Sequence, residues 1–148
     1  YPGIFMARRT IELPDTFHFS TDYTVLFSDI NAANHMGADR VLPIAMEAQL
    51  RFIKSLGYGD AIVFEDAGLI MAYSEVVYKS ETAYGDELII DVAVTNFGNK
   101  SVDFIYRLTN KDSGIEAARV RASMLFFDYE KKAVVAVPEG FKSKFLSA

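Results

Sequence analysis

Apolar and polar positions alternate along most of the chain, and one stretch departs from that alternation. Between Asp39 and Leu56 apolar side chains fall at Val41, Leu42, Ile44, Ala45, Met46, Ala48, Leu50, Phe52, Ile53 and Leu56. On a helix these positions cover most of the circumference, which predicts a long helix that is buried rather than laid on a surface. Asp39 is the candidate N-cap, and Pro43 is compatible with the helix only in its first turn. Gly57-Tyr58-Gly59-Asp60 ends it, because glycine accepts the left-handed conformation common just past a helix C-terminus.

Elsewhere the period is two. Phe19 to Asp29 places Tyr23, Val25 and Phe27 on one face and Thr24, Leu26 and Ser28 on the other, which predicts a strand. Residues 7–19 form a short arm with a turn signal at Pro14-Asp15. After a loop at 58–67, strands are predicted at Gly68 to Lys79, Glu87 to Phe97, Ser101 to Thr109, Ile115 to Tyr129 and Ala133 to Val137. Leu88, Ile90, Val92 and Val94 share one face of the second of these, and Val102, Phe104, Tyr106 and Leu108 one face of the third. Turns at Tyr84-Gly85-Asp86, Gly98-Asn99, Asn110 to Gly114 and Glu130-Lys131-Lys132 separate them, which predicts an antiparallel meander. Pro138-Glu139-Gly140 closes the sheet and Phe141 to Phe145 is a tail.

A single sheet must cover its apolar face, and only the one helix can do so. The expected fold class is α+β, an antiparallel sheet of five or six strands wrapped around one long central helix. At 148 residues the chain reads as one domain over 1–148, with 1–18 as an N-terminal arm.

Composition narrows the chemistry. Hydrophobic residues make up 51%, which supports a packed core and argues against disorder. There is no cysteine, so disulfides, zinc–thiolate sites and thiol nucleophiles are excluded, and the expected compartment is the cytoplasm. The net charge of −5, with no basic run beyond Arg8-Arg9 and Lys131-Lys132, argues against nucleic-acid binding. No apolar run reaches the ~18 residues that span a bilayer, and Tyr1 to Met6 does not read as a signal peptide. GxSxG, Walker and Rossmann patterns are absent, and two distant histidines do not suggest a metal site.

The polar groups that matter gather just before the helix, in Ser28-Asp29-Ile30-Asn31-Ala32-Ala33-Asn34-His35-Met36-Gly37. Unpaired N–H groups and the positive end of the helix dipole, worth roughly half a charge, point at this loop. His35 is either a loop histidine bonded to the backbone or a contact to a substrate carbonyl or water. Asp29, at the strand end, either holds the loop in shape or acts on water. Asn31 and Asn34 are ordinary turn residues by type. Glu47 is either a solvated i, i+4 partner of Arg51 or a carboxylate desolvated in a cavity and able to act as general base. His18, in the arm, reads as structural.

This loop resembles that of the hotdog-fold acyl-thioester hydrolases, of the 4-hydroxybenzoyl-CoA thioesterase type and the plant acyl-carrier-protein thioesterase type. Phe27 to Gly37 is similar to a family pattern of Asp-x-Asp, three variable residues, His and two small or amide residues before the helix. Glu47, Gly57, Tyr84-Gly85-Asp86 and Pro138 add to the resemblance, which spans about residues 20–145. Two positions depart from it. The second aspartate, often the catalytic carboxylate, is Asn31 here, and an asparagine two residues before the histidine is Ala33. An amide cannot take up a proton at neutral pH as a carboxylate can.

The resemblance implies an acyl-CoA or acyl-carrier-protein thioesterase with Asp29, Asn31, His35 and Glu47 as catalytic candidates. Asn34, Met36 and Gly37 are the substrate-binding candidates, with a backbone N–H near Gly37 as oxyanion donor. No metal or resident cofactor is implied, because the CoA or carrier pantetheine arm arrives with the substrate. It also implies a homodimer or dimer of dimers with the pocket between subunits. Two other readings stay open at this level. One is a hotdog hydratase or dehydratase, and the other a non-catalytic acyl-binding protein that lost its base at Asn31.

Overall fold

The computed structural model describes residues 9–146, so the readings of Arg8 and of Tyr1 to Met6 lie outside the described residues. The elements run β1 (Phe19–Thr24), α1 (Val41–Ser55), β2 (Gly68–Tyr78), β3 (Glu87–Thr95), β4 (Ser101–Asn110), β5 (Glu116–Asp128), β6 (Ala133–Val134) and α2 (Glu139–Lys142). Short 3-10 turns at Phe27–Asp29 and Ala38–Arg40 flank the polar loop. All strand pairs are antiparallel, and the sheet curls around α1.

The alternation in β3 and β4 is realised as read. Leu88, Ile90, Val92 and Val94 are buried, as are Val102, Phe104, Tyr106 and Leu108 opposite them, with Val92 level with Tyr106 in the register. Ile44, Ala45, Ala48, Phe52 and Ile53 of α1 complete this core, and the Phe52 ring meets Phe104 edge-on at 6.2 Å. One polar pair lies inside it. Tyr106 donates its hydroxyl to Gln49 Oε1 at 2.7 Å, pinning the helix to the middle of the sheet.

Two expectations about the helix need correction. The helix is not buried all round, since Pro43, Glu47 and Lys54 are exposed and only one face meets the sheet. Asp39 is not its N-cap, because Ala38–Arg40 winds as a 3-10 turn before α1 and no side chain caps either start. Pro43 does fall in the first turn, where its missing N–H costs nothing. Gly57 does end the helix at φ +96°.

The first strand stops at Thr24 rather than Asp29. Val25 is still held by the turn ahead of β3, donating to Asp86 O at 2.9 Å and accepting from Gly85 N–H at 3.0 Å. Beyond it the Asp29 carboxylate draws the Leu26 N–H back at 2.9 Å, and the chain winds into a turn. Phe27, expected beside Tyr23 and Val25, is 82% exposed.

The strands form a meander only from β3 to β6. The sheet order is β1-β3-β4-β5-β2, with β6 on the far end of β5. β2 pairs with β5, from Gly68 opposite Phe127 to Tyr78 opposite Ala118, so the chain must cross the end of the sheet before starting β3. That crossover, residues 79–86, runs beside the polar loop. Finally, the tail is a helical turn, α2, whose Phe141 is buried against Phe126 at 5.3 Å between ring centres.

Candidate functional site

The site starts from Asp29. Its side chain is buried and accepts from Tyr23 Oη at 2.7 Å, Leu26 N at 2.9 Å and Arg40 Nε at 2.9 Å. Burial alone would raise the carboxyl pKa. The bonds from Tyr23, Leu26 and Arg40 outweigh it and hold the group below the usual carboxylate range. Burial and the bond to this carboxylate push Tyr23 up to about 12. The three donors tie the strand end, the turn after it and the helix start into one knot.

The loop hangs from that knot. Its ends pair at Ile30 and Met36, and Gly37 N–H donates to Asp29 O at 2.9 Å. Asn31 folds its own side chain inward, Oδ1 accepting from Ala33 N–H at 3.0 Å and His35 N–H at 3.4 Å. Asn34 turns the chain at φ +67°, a conformation asparagine tolerates better than most residues. The crossover then locks on, with Met36 N–H donating to Thr82 O at 2.7 Å.

A cleft of about 390 Å³ opens between loop and crossover. Asn31, His35, Met36, Gly37 and Ala38 line one wall, and Tyr78, Lys79, Ser80, Glu81 and Thr82 the other. Val41, from the first turn of α1, and Ala117 add apolar surface. Glu81 Oε1 lies 3.5 Å from His35 Nε2 across the gap. Tyr78 spans it too, its hydroxyl donating to Ala38 O at 3.0 Å.

The cleft thus brings together Asn31, His35, Met36 and Gly37 of the expected residues, and leaves out Asp29, Asn34 and Glu47. Glu47 lies outside this cleft in the single chain. Its side chain is 48% exposed and accepts from Arg51 Nε at 3.3 Å, while Arg51 also donates to Thr21 Oγ1 and Asp22 O on β1. The oxyanion donor expected near Gly37 cannot be Gly37 or Met36, whose N–H groups are bonded. Ala38 N–H has no acceptor among the described residues, and Ala38 lines the cleft. Glu81 and Tyr78 went unnoticed in sequence, because only the crossover carries them to the loop. His18 is structural, accepting from Val94 N–H at 3.1 Å, and burial lowers its pKa.

One long helix wrapped in a curled antiparallel sheet in this strand order is the hotdog fold. Solved structures share it at identities that speak for the fold alone. A 1,4-dihydroxy-2-naphthoyl-CoA thioesterase from Synechocystis is 16% identical, with a TM-score of 0.67 over 84% of this chain and 93% of that one. The 12:0-ACP thioesterase from Umbellularia californica is 14% identical, with a TM-score of 0.76 over 88% of this chain and 51% of that one. Protein SAV2348 of Staphylococcus aureus, solved in complex with CoA, is 21% identical, with a TM-score of 0.75 over 91% and 85%. No curated protein sequence matches the chain. A sequence profile of the thioesterase-like superfamily matches residues 25–145, and the chain belongs to that superfamily.

Proposed function

We propose that the protein hydrolyses the thioester of an acyl-CoA or acyl-carrier-protein, releasing the free acid and the thiol. The observation that carries this reading is the meeting of His35, Glu81 and the unpaired Ala38 N–H in one cleft at the start of α1. Two of the solved structures are named for such thioesters, a 1,4-dihydroxy-2-naphthoyl-CoA thioesterase and a 12:0-ACP thioesterase.

In this mechanism the thioester carbonyl oxygen sits at Ala38 N–H, where the helix dipole adds to the pull. Glu81 Oε1, 3.5 Å away, favours the proton on His35 Nε2, which leaves Nδ1 as the acceptor. A water loses its proton to Nδ1 as its oxygen bonds to the carbonyl carbon, and the oxyanion forms against Ala38 N–H. The C–S bond then breaks, and the histidine returns the proton to the departing thiolate. Asn31 shapes the loop and offers its amide N–H to the substrate, with Met36 and Gly37 along the cleft wall. Asp29 and Arg40 are positioning residues. No resident cofactor takes part, because the pantetheine arm comes with the substrate.

The working unit in this reading is a homodimer. Among the described residues β1 and β2 are the edges of the sheet, and β2 is eleven residues long with one side unpaired, which needs a partner or a cover. Among the described residues no helix is long and apolar enough to cross a membrane. The cytoplasm stays the expected compartment on the cysteine-free sequence alone. The test is thiol release by the purified chain across a panel of acyl-CoA thioesters, aromatic and aliphatic. Release from at least one upholds the reading. Saturable acyl-CoA binding with no release from any would make the chain a binding protein instead.

A further inference from the structure

β2 reaches the cleft only after a break in its alternation. Its pairing with β5 slips between Met71 and Tyr73, where Ala72 is an extra residue with no opposite number. Met71 lies opposite Met124 and Tyr78 opposite Ala118, two buried side chains on the core face of β5. Faces alternate along a strand, so an unbroken β2 with Met71 inward would turn Val77 inward and Tyr78 outward. The bulge reverses this and brings Val76 and Tyr78 to the core side. Re-aiming a side chain beside a site is a recurrent use of such bulges.

What Tyr78 reaches is the backbone around the Ala38 N–H, where three consecutive peptide groups are each tied once. In the first, Gly37 N–H donates to Asp29 O at 2.9 Å. In the second, Gly37 O accepts from Arg40 N–H at 3.0 Å, and the Ala38 N–H of the same peptide stays free. In the third, Ala38 O accepts from the Tyr78 hydroxyl at 3.0 Å. The first two ties are made within the segment from Asp29 to Arg40. The third comes from the opposite wall of the cleft, which also carries Glu81.

We propose that Tyr78 is a positioning residue for the hydrolysis, its hydroxyl fixing Ala38 so that the Ala38 N–H meets the oxyanion as it forms. The proposal rests on the thioester reading of the cleft and adds a residue that the mechanism above does not use. An oxyanion donor accelerates the reaction only when it is already aimed at the place where charge develops. Tyr78 supplies that aim from across the cleft, and in this role it touches no reacting atom and moves no proton. The residue is 56% exposed, so water competes for Ala38 O. Losing the bond therefore loosens the turn and does not unfold it.

Tyr78→Phe keeps the ring and removes only the bond. On an acyl-CoA that wild type cleaves, kcat should fall about three- to tenfold, the worth of one exposed hydrogen bond, with KM nearly unchanged. The pH profile should keep its shape, because Tyr78 moves no proton. Tyr73→Phe, which loses only a bond to Glu75, is the control and should match wild type. Nuclear magnetic resonance on the full chain reads the contact without turnover. In Tyr78→Phe the Ala38 carbonyl carbon should move upfield, and nitrogen relaxation should report a more mobile Ala38 N–H. An unchanged kcat, a change confined to KM, or unmoved Ala38 signals would overturn the proposal and leave the hydrolase reading in place. A wild type that releases no thiol from any ester would overturn the hydrolase reading instead. The Ala38 signals then decide alone, moved signals upholding Tyr78 as the residue that orders Ala38 and unmoved ones overturning it.

Discussion

Arg40 donates to Asp29 across the loop at 2.9 Å, and this contact sets where every other residue of the cleft can be. The two residues are eleven apart in sequence. Between them the chain must leave the strand, present Asn31 and His35, and return in time to start α1. Removing the carboxylate leaves the Tyr23 hydroxyl and the Leu26 N–H without their acceptor. Asp29→Ala should therefore cost about 2–4 kcal/mol of stability, read from denaturant unfolding. Arg40→Met should cost less, since that side chain is partly exposed.

The same carboxylate predicts a pH dependence. Its pKa is lowered in the folded state, so its stabilisation is fully present above the unfolded value, near pH 4. It is lost as pH falls from there through the folded value. Wild type should lose stability in that acid window more steeply than Asp29→Asn, whose side chain does not titrate. Parallel melting temperatures for the two proteins between neutral pH and pH 3 would contradict this.

Tyr106 and Gln49 make a second test, independent of the cleft. Tyr106→Phe keeps the ring and removes the hydroxyl, leaving Gln49 Oε1 without its donor deep in the core. The expected loss is about 1–3 kcal/mol by chemical denaturation. The double variant Tyr106→Phe with Gln49→Leu should recover part of it, because neither partner is then left unpaired. A double variant weaker than the sum of both singles would count against the pairing.

How far the sequence reaches is clear from particular residues. The period-two runs through Leu88 to Val94 and Val102 to Leu108 disclose β3 and β4, because each side chain there sees only the core or the far face. The helix is equally legible, and so is its stop at Gly57. The break after Thr24 is not, because it depends on Asp29 meeting Arg40 and Tyr23, a contact no local pattern shows. The crossover is hidden for a different reason. Tyr84-Gly85-Asp86 has the same turn chemistry whether it joins neighbouring strands or ends a passage across the sheet. With the crossover unseen, Tyr78 and Glu81 carry no signal at all. Glu47 was an open alternative, and the i, i+4 partner already visible in the sequence is the contact the folded chain makes.

Kinetics of single variants separate the carboxylates. Glu81→Gln should lower the turnover number by no more than about tenfold, because its contact with His35 is largely exposed and it is not itself the proton acceptor. Glu47→Gln should change turnover by no more than about fivefold, the scale of an exposed ion pair. Asn31→Ala should reduce it by weakening the loop. Asn31→Asp keeps the acceptor for Ala33 and His35 and should retain or raise activity. A larger loss in Glu47→Gln than in Glu81→Gln would move the base to Glu47.

Light scattering at micromolar concentration reads the quaternary expectation. The unpaired edge of β2 predicts a particle of at least two chains, and a monodisperse single chain would contradict it.

The most direct measurement compares wild type with His35→Ala on one acyl-CoA that wild type cleaves, following the thiol released. The proposed mechanism predicts a turnover number lower by about two to four decades in the variant, with the fold and the Asp29 knot intact. Turnover within a few-fold of wild type would contradict it and remove His35 from the chemistry.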